Sequence, residues 1–291
     1  MQAEQNTYKP TVSLIDETFS ESLTSEYHLC LEVSMNGICY SIYHPKKNKY
    51  LLLETFTFHK VYNAVLLLNE ISSVVETHSF LRKNFKSISI SLFSSKFTLI
   101  PTALFDRALA NKYLDFNSPV DEDESILIDE LKNFDTQCVY AASKNLVDGL
   151  QQLFPSAKFL HVLSPLLESL ASSFKNSSGK KVVIHLQQAH FEMVVMEEKK
   201  LVFANIFNYQ SSEDFLYYTL FVCEQLKLNP ENLELILLGE VEKNSAIYSI
   251  LNKYIRNIKF GSRPELFEYS YVFDTTSSHF YFNLFSQNLC V

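Results

Sequence analysis

One pattern of apolar residues occurs twice in this chain, and it restricts the fold more than any other feature. Tyr27 to Ser34, Ile38 to Tyr43 and Tyr50 to Phe58 read as a meander of three strands, with Met35-Asn36-Gly37 and Pro45-Lys46-Lys47-Asn48 as turns. A helix follows, with Val61, Ala64, Val65, Leu68, Ile71 and Val75 spaced along one buried face. Then comes the alternating strand Ser87 to Leu92, whose Ile and Leu side chains should face one layer and its serines the other. The same order of three strands, helix and strand returns as Lys181 to Gln187, His190 to Met196, Lys200 to Phe207, Ser212 to Leu226 and Leu233 to Leu238. An order repeated without identity of sequence predicts an internal duplication, with two mixed sheets bearing helices and a cleft between two lobes. The lobes are expected at 1–163 and 164–291, and a ligand would ordinarily lie in the crevice.

The intervening segments are less regular. Residues 117–124 (NSPVDEDE) carry a Pro and four successive acids and read as a solvated loop, because their oxygens are not spaced for a cation. A strand at Cys138 to Ala142, a helix at Lys144 to Leu153 capped by Ser143, a strand at Lys158 to Leu163 and a helix opening at Ser164-Pro165 should tie the lobes together. A helix near Asn244 to Tyr254 and an aromatic tail close the sequence.

Composition removes whole classes of function. The 25 Lys and Arg against 33 Asp and Glu give a net charge of −8 over 291 residues. That sign argues against a broad phosphate-neutralising surface for nucleic acid and against a polybasic membrane anchor. The five cysteines are scattered and never spaced as CxxC, which fits reduced thiols and predicts a cytoplasmic protein. The opening MQAEQNTYKP has no charged and apolar leader, and no run is long enough to span a bilayer, so no direct membrane insertion is expected. Asn176-Ser177-Ser178 matches a glycosylation acceptor, but with no export signal it reads as a plain loop. Only five glycines are present, and phosphate-cradling loops are usually built from glycine.

The duplicated order resembles the actin-like ATPase architecture, an α/β fold of two ribonuclease H-like halves. The segments at 138–170 and 180–207 are similar to the second half of the actin-like proteins of type IV pilus assembly and type II secretion. Stretches such as FTLIPTALFD (97–106) and the Phe154-Pro155 pair before AKFLHVLSPLL (157–167) resemble more closely a bacterial family of unknown function assigned the same fold. The resemblance implies where nucleotide-binding positions should lie. Active members carry Asp-x-Gly in the first hairpin, and here Glu32 and Ser34 stand at those places, on one face of a strand. The second Asp-x-Gly is met by His185-Leu186-Gln187, and neutral imidazole is a poor substitute for a carboxylate around magnesium. The Gly-Gly pair near the nucleoside is met by Gly239-Glu240.

These departures fall on three separate phosphate or adenosine elements, and phosphoryl transfer depends on metal and electrostatic positioning. Glu32, Ser34, His185, Gln187 and Gly239 are therefore expected to be degenerate cleft positions, with no catalytic residue and no metal ligand among them. His185, His190 and Glu192 could form a zinc site, but without a third ligand at helical spacing they read as a hydrogen-bonded polar lining. Glu32 as a general base lacks a carboxylate partner on the second hairpin. A ribonuclease H-type nuclease would need clustered carboxylates for two metals, which His185 interrupts. The sequence thus predicts a pseudo-ATPase that engages a protein partner as a scaffold, with no cofactor and with a homodimer left open. The alternative is a residual binder of ATP with magnesium, or a slow phosphotransferase, using Glu32.

Overall fold

In the structure, a computed structural model describing residues 9–175 and 177–291, strands supply most of the regular elements. The start of the opening segment and Asn176 of the glycosylation pattern lie outside the described residues. Two contact-dense units are present. The first comprises the described residues through Pro165 with 266–275 and 284–291; the second comprises 166–265 and 276–283. The C-terminal segments 266–275 and 284–291 thus pack with the first unit, whereas the division at 163/164 assigns everything after it to the second.

The first unit contains β1 (Val12–Ile15), β2 (His28–Ser34), β3 (Gly37–His44), β4 (Lys49–Thr57), α1 (Ala64–Thr77) and β5 (Ser87–Leu92). It continues with β6 (Phe97–Pro101), α2 (Ala110–Asp115), β7 (Glu124–Leu131), β8 (Thr136–Ser143), α3 (Lys144–Leu153) and β9 (Ala157–His161). From α4 (Leu163–Ser173) the chain enters the second unit: β10 (Lys180–Leu186), β11 (His190–Glu197), β12 (Lys200–Asn208), α5 (Ser212–Gln225), β13 (Glu234–Gly239), α6 (Ala246–Leu251) and β14 (Asn257–Phe260). β15 (Glu268–Tyr269) and α7 (Phe282–Ser286) lie in the tail.

The main sheet of the first unit runs β1-β4-β3-β2-β5-β9, with β15 also on β4, and the sheet of the second unit runs β12-β11-β10-β13-β14. The order and direction of β4-β3-β2-β5-β9 recur in the second sheet, with two antiparallel pairs followed by two parallel ones. β9 therefore completes the first sheet instead of serving as a connector, a role the sequence reading gave it because a five-residue strand isolated from its partners looks like a link. β8 belongs to a separate sheet, β6-β8-β7, that the reading did not foresee. The acidic run ends where β7 begins, and Lys96 neutralises part of it, 2.7 Å from both Asp121 and Glu124.

Local chemistry explains several boundaries. The β2–β3 hairpin closes over Met35-Asn36, and Gly37 opens β3 because a Cβ there would meet the Phe56 carbonyl oxygen at 2.1 Å. Asn63 caps α1 by accepting from the Leu66 N–H at 2.9 Å. Ser143 stands at the α3 cap without a side-chain cap bond. Ser164 is not the cap of α4, which begins one residue earlier; its hydroxyl donates instead to Asp129.

Each sheet is buried by a separate apolar cluster. In the first unit Leu29, Leu31, Ile88, Ile90, Ile71 and Val74 pack together between sheet and helices. In the second, Val182, Ile184, Phe191, Phe215, Val222 and Leu237 do the same. Among the described residues no helix is long and apolar enough to cross a membrane.

Candidate functional site

On β2 the odd residues Leu29, Leu31 and Val33 enter the apolar cluster, so the even residues His28, Cys30, Glu32 and Ser34 turn to the other face. Register aligns His28, Cys30 and Glu32 with Ser87, Ser89 and Ser91 of β5. The serines face a second layer, as their alternation requires, but that layer is closed: Ser89 and Ser91 are buried. His28 Nδ1 lies 2.6 Å from Ser87 Oγ and its Nε2 3.0 Å from Ser89 Oγ. The C-terminal turn delivers Gln287, which accepts from Ser89 Oγ at 2.6 Å and donates to the Leu31 carbonyl at 2.8 Å and to Ser91 Oγ at 2.9 Å. Burial holds the His28 imidazole down to about 4, helped by the Lys86 charge, so it is neutral.

Glu32 occupies the half-buried end of this polar row. Ser34 is engaged in its own hairpin: its hydroxyl is 3.4 Å from the Gly37 carbonyl and 3.3 Å from the Asn36 N–H. Both belong to the first unit, whereas His185, Gln187 and Gly239 belong to the second.

In the second unit β10 aligns with β13 so that His185 neighbours Leu238 and Leu186 neighbours Gly239. This brings His185, Gln187 and Gly239 to one end of the sheet. The hairpin to β11 sets His185 directly across from Glu192. Nδ1 of His185 lies 2.8 Å from Oε2 of Glu192, and Nε2 of His190 lies 3.2 Å from Oε1. Both His185 and Glu192 are buried. Burial alone would raise the Glu192 pKa, but the two imidazoles outweigh it and hold the carboxyl below its ordinary range. The sequence singled out these three residues; the pairing that links them follows from hairpin register. Among the described residues, no group of three His, Cys, Asp or Glu side chains is arranged to hold a metal ion.

Gln187 fixes the backbone here, its N–H donating to the His190 carbonyl at 2.9 Å and its carbonyl accepting from Tyr209 Oη at 2.7 Å. Gly239 has φ +80, and a Cβ there would meet the Leu186 carbonyl oxygen at 2.1 Å. Beyond it, Glu240, Glu242, Asn244, Ser245, Phe280 and Tyr281 line an open hollow of about 380 Å³.

A buried cluster that sequence reasoning missed surrounds Asp129 of β7. Its Oδ2 accepts from the His161 N–H and from Ser164 Oγ, both at 2.6 Å. Burial pushes this carboxyl up to about 6, against those hydrogen bonds. A lone Asp in an apolar strand gives no sequence signal for partners 32 and 35 residues away.

Residues 16–258 match the family described as protein of unknown function (DUF3822). The chain belongs to this family. No curated protein matches this DUF3822 chain. Among solved structures, a Bacteroides thetaiotaomicron protein with actin-like ATPase fold and unknown function is similar at 24% identity and TM-score 0.77, covering 84% of this chain and 94% of that one. A chain of a PilM-PilN type IV pilus biogenesis complex is similar at 12% identity and TM-score 0.60, covering 91% and 98%. The DUF3822 chain thus has the actin-like ATPase fold, as its repeated strand order leads one to expect.

Proposed function

We propose that this DUF3822 protein is a catalytically degenerate actin-like pseudo-ATPase that serves in the cytoplasm as a protein-binding scaffold. One observation carries the reading. The side chain at the second Asp-x-Gly position, His185, is turned into the protein and held by Glu192, both essentially without solvent contact. A magnesium ion positioned for phosphoryl transfer needs a hard oxygen ligand, and a buried imidazole engaged with a buried carboxylate supplies none. The hollow beyond Gly239 adds to this, because Glu240 and Glu242 bring negative charge where a polyphosphate would need the opposite sign.

A protein is the expected class of partner. A solved structure of similar fold is a chain of a complex between PilM and PilN. The net charge of −8 disfavours nucleic acid. No cofactor is part of the proposal.

The test is the melting temperature with and without millimolar ATP and magnesium, repeated for Glu32→Ala, alongside a phosphate-release assay. A ligand that binds the native state must raise its stability. The expected result is no shift and no turnover. An ATP-dependent rise abolished by Glu32→Ala, or sustained phosphate release, would overturn the proposal and establish instead a residual nucleotide binder.

A further inference from the structure

Among the described residues β6, β8 and β7 pair only with one another, and the chain enters their sheet after β5 and leaves it into α3. The small sheet is therefore an insertion that can shift without breaking a ladder of the main sheet. Its strands have two faces, as alternation requires. Ile126, Ile128, Val139 and Ala141 turn to one side and pack with Ala110 and Leu114 of α2. Leu127, Asp129, Cys138, Tyr140 and Ala142 take the other, where Leu127 and Ala142 join the apolar cluster of the main sheet. An acid thus stands on the face by which the insertion is attached.

Asp129 is buried, and its short bonds both leave its own sheet. Oδ2 takes the His161 N–H at the end of β9 and the Ser164 hydroxyl in the first turn of α4, each at 2.6 Å. Oδ1 lies 3.4 Å from Tyr140 Oη on β8. The His161 ring completes the joint. It lies against Phe97 of β6 and Tyr140 at 4.9 and 5.0 Å, and its Nε2 is 2.9 Å from the Ser94 carbonyl. Its Nδ1 accepts from the Leu163 N–H at 3.3 Å, so the ring proton sits on Nε2 and the imidazole is neutral.

The remaining titratable groups around the carboxyl do little to offset its burial. Lys158 on β9 favours ionisation through charge alone, while its ammonium bonds the Cys290 carbonyl. Opposite Asp129 on β8 is the Cys138 thiol, and one turn beyond Ser164 on α4 is Glu168, both buried. Burial outweighs the donors, so the fold favours the neutral carboxyl. A neutral carboxyl can carry its proton on Oδ1, facing Tyr140, and keep Oδ2 as acceptor for both short bonds. An ionised one is a charge shut in the joint, which water reaches only when the insertion lifts away.

We propose that Asp129 is a proton-sensitive clasp. When neutral it holds the β6-β8-β7 sheet against β9 and the first turn of α4; when ionised it weakens that hold, and the insertion opens locally while the main sheet stays folded. The sign follows from linkage. The carboxyl pKa is raised in the closed joint, so the hold is complete below the ordinary value of 3.8 and weakens as pH rises through about 6. The bonds to His161 and Ser164 are what the opening breaks, and both belong to backbone that leads directly from β9 into α4.

The experiment is labelling of the folded full chain with a thiol reagent at pH 5 and pH 7.5, read by peptide mass spectrometry at Cys138 and at Cys30, both buried. It is made on the native chain, Asp129→Asn and Ser164→Ala. Rates are taken relative to the urea-unfolded chain at the same pH, which removes the titration of the thiol itself. His161 also loses its partners on opening and titrates in the opposite sense, but it does so in all three chains, so the readout is native against variant. Cys138 on the insertion should label faster than Cys30 in the main sheet. From pH 5 to 7.5 its protection should fall about tenfold further in the native chain than in Asp129→Asn, the factor linkage gives for a carboxyl passing from about 6 to 3.8 on opening. Ser164→Ala removes a donor to the ionised oxygen and should deepen the native fall. Equal protection of Cys138 and Cys30 overturns the proposal, because the opening is then global. The same pH dependence in the native chain and Asp129→Asn overturns it too. If Asp129→Asn does not fold, Ser164→Ala decides, and a fall no deeper than the native one sinks the clasp.

Discussion

His185 and Glu192, seven residues apart on the two arms of one hairpin, close on each other at 2.8 Å with neither side chain open to solvent. His190 approaches the other carboxylate oxygen, so one buried acid is bracketed by two imidazoles. Burying a carboxylate is costly unless it is paired, and removing one partner of a buried pair is costlier than never having had it.

Glu192→Gln should therefore lower unfolding free energy at pH 7 by about 3 to 5 kcal/mol, the range for breaking a buried pair. The folded-state pKa of Glu192 is depressed, so its contribution is full above the unfolded value of 4.5 and is lost as pH falls toward the folded one. Urea unfolding at pH 7 and pH 3.5 checks both parts: the gap between native protein and variant should be wide at the first pH and narrower at the second. An equal gap at both would mean that the carboxylate contributes packing and no charge interaction.

His28 titrates with the opposite consequence of charge. Its pKa is lowered by burial to about 4 from 6.5, so folding favours the neutral ring. The stability tied to it is complete above pH 6.5 and is lost as pH falls through the interval to 4, amounting to about 3 kcal/mol at 1.36 kcal/mol per pKa unit. His28→Gln keeps a polar side chain between Ser87 and Ser89 without that titration. Its unfolding free energy should depend less steeply on pH between 6.5 and 4 than that of the native chain.

How much of this was legible beforehand depends on the range of the signal. Periodicity gave the meanders and their helices, because each depends on residues a few positions apart, and α3 matches its expected limits Lys144 to Leu153. Hairpin register would also have placed Glu192 opposite His185. Pairings between distant segments were not readable. β9 has five residues, and it closes the end of its sheet only because Ile88 to Leu92 accept it in parallel. Gln287 lies in an aromatic tail, yet it satisfies polar groups on β2 and β5, 256 and 196 positions earlier respectively. Gly239-Glu240 resembles a nucleotide element in sequence, while the hollow beyond it is also lined by Phe280 and Tyr281, far along the chain.

Asp129 provides a contrast of sign. Burial raises its pKa from 3.8 to about 6. The stability associated with that shift is fully present below pH 3.8 and is lost as pH rises through 6, again about 3 kcal/mol by linkage. Asp129→Asn removes the titration but also one acceptor for the donors at His161 and Ser164. The variant should be less stable than the native chain at pH 4 and approach it by pH 8. Thermal unfolding across that range measures the convergence, and a constant difference would show that the carboxyl titrates in the fold as it does in the unfolded chain.

Gly239 tests whether a retained glycine signifies nucleotide binding. Its φ of +80 is strained for any L side chain, and an added Cβ would fall 2.1 Å from the Leu186 carbonyl oxygen, an atom of the sheet backbone that cannot rotate away. That same carbonyl accepts the Glu240 N–H at 2.7 Å, and the Gly239 N–H is itself held by the His279 carbonyl at 2.9 Å, so the turn is fixed on both sides. Gly239→Ala should destabilise the protein by about 2 kcal/mol or more, within or above the range for a residue held in an unfavourable backbone region. The loss should be the same with and without ATP and magnesium, because close packing of β13 on β10 requires the glycine whether or not a nucleotide ever approaches. A loss that appears only in the presence of nucleotide would return the glycine to a phosphate-binding role.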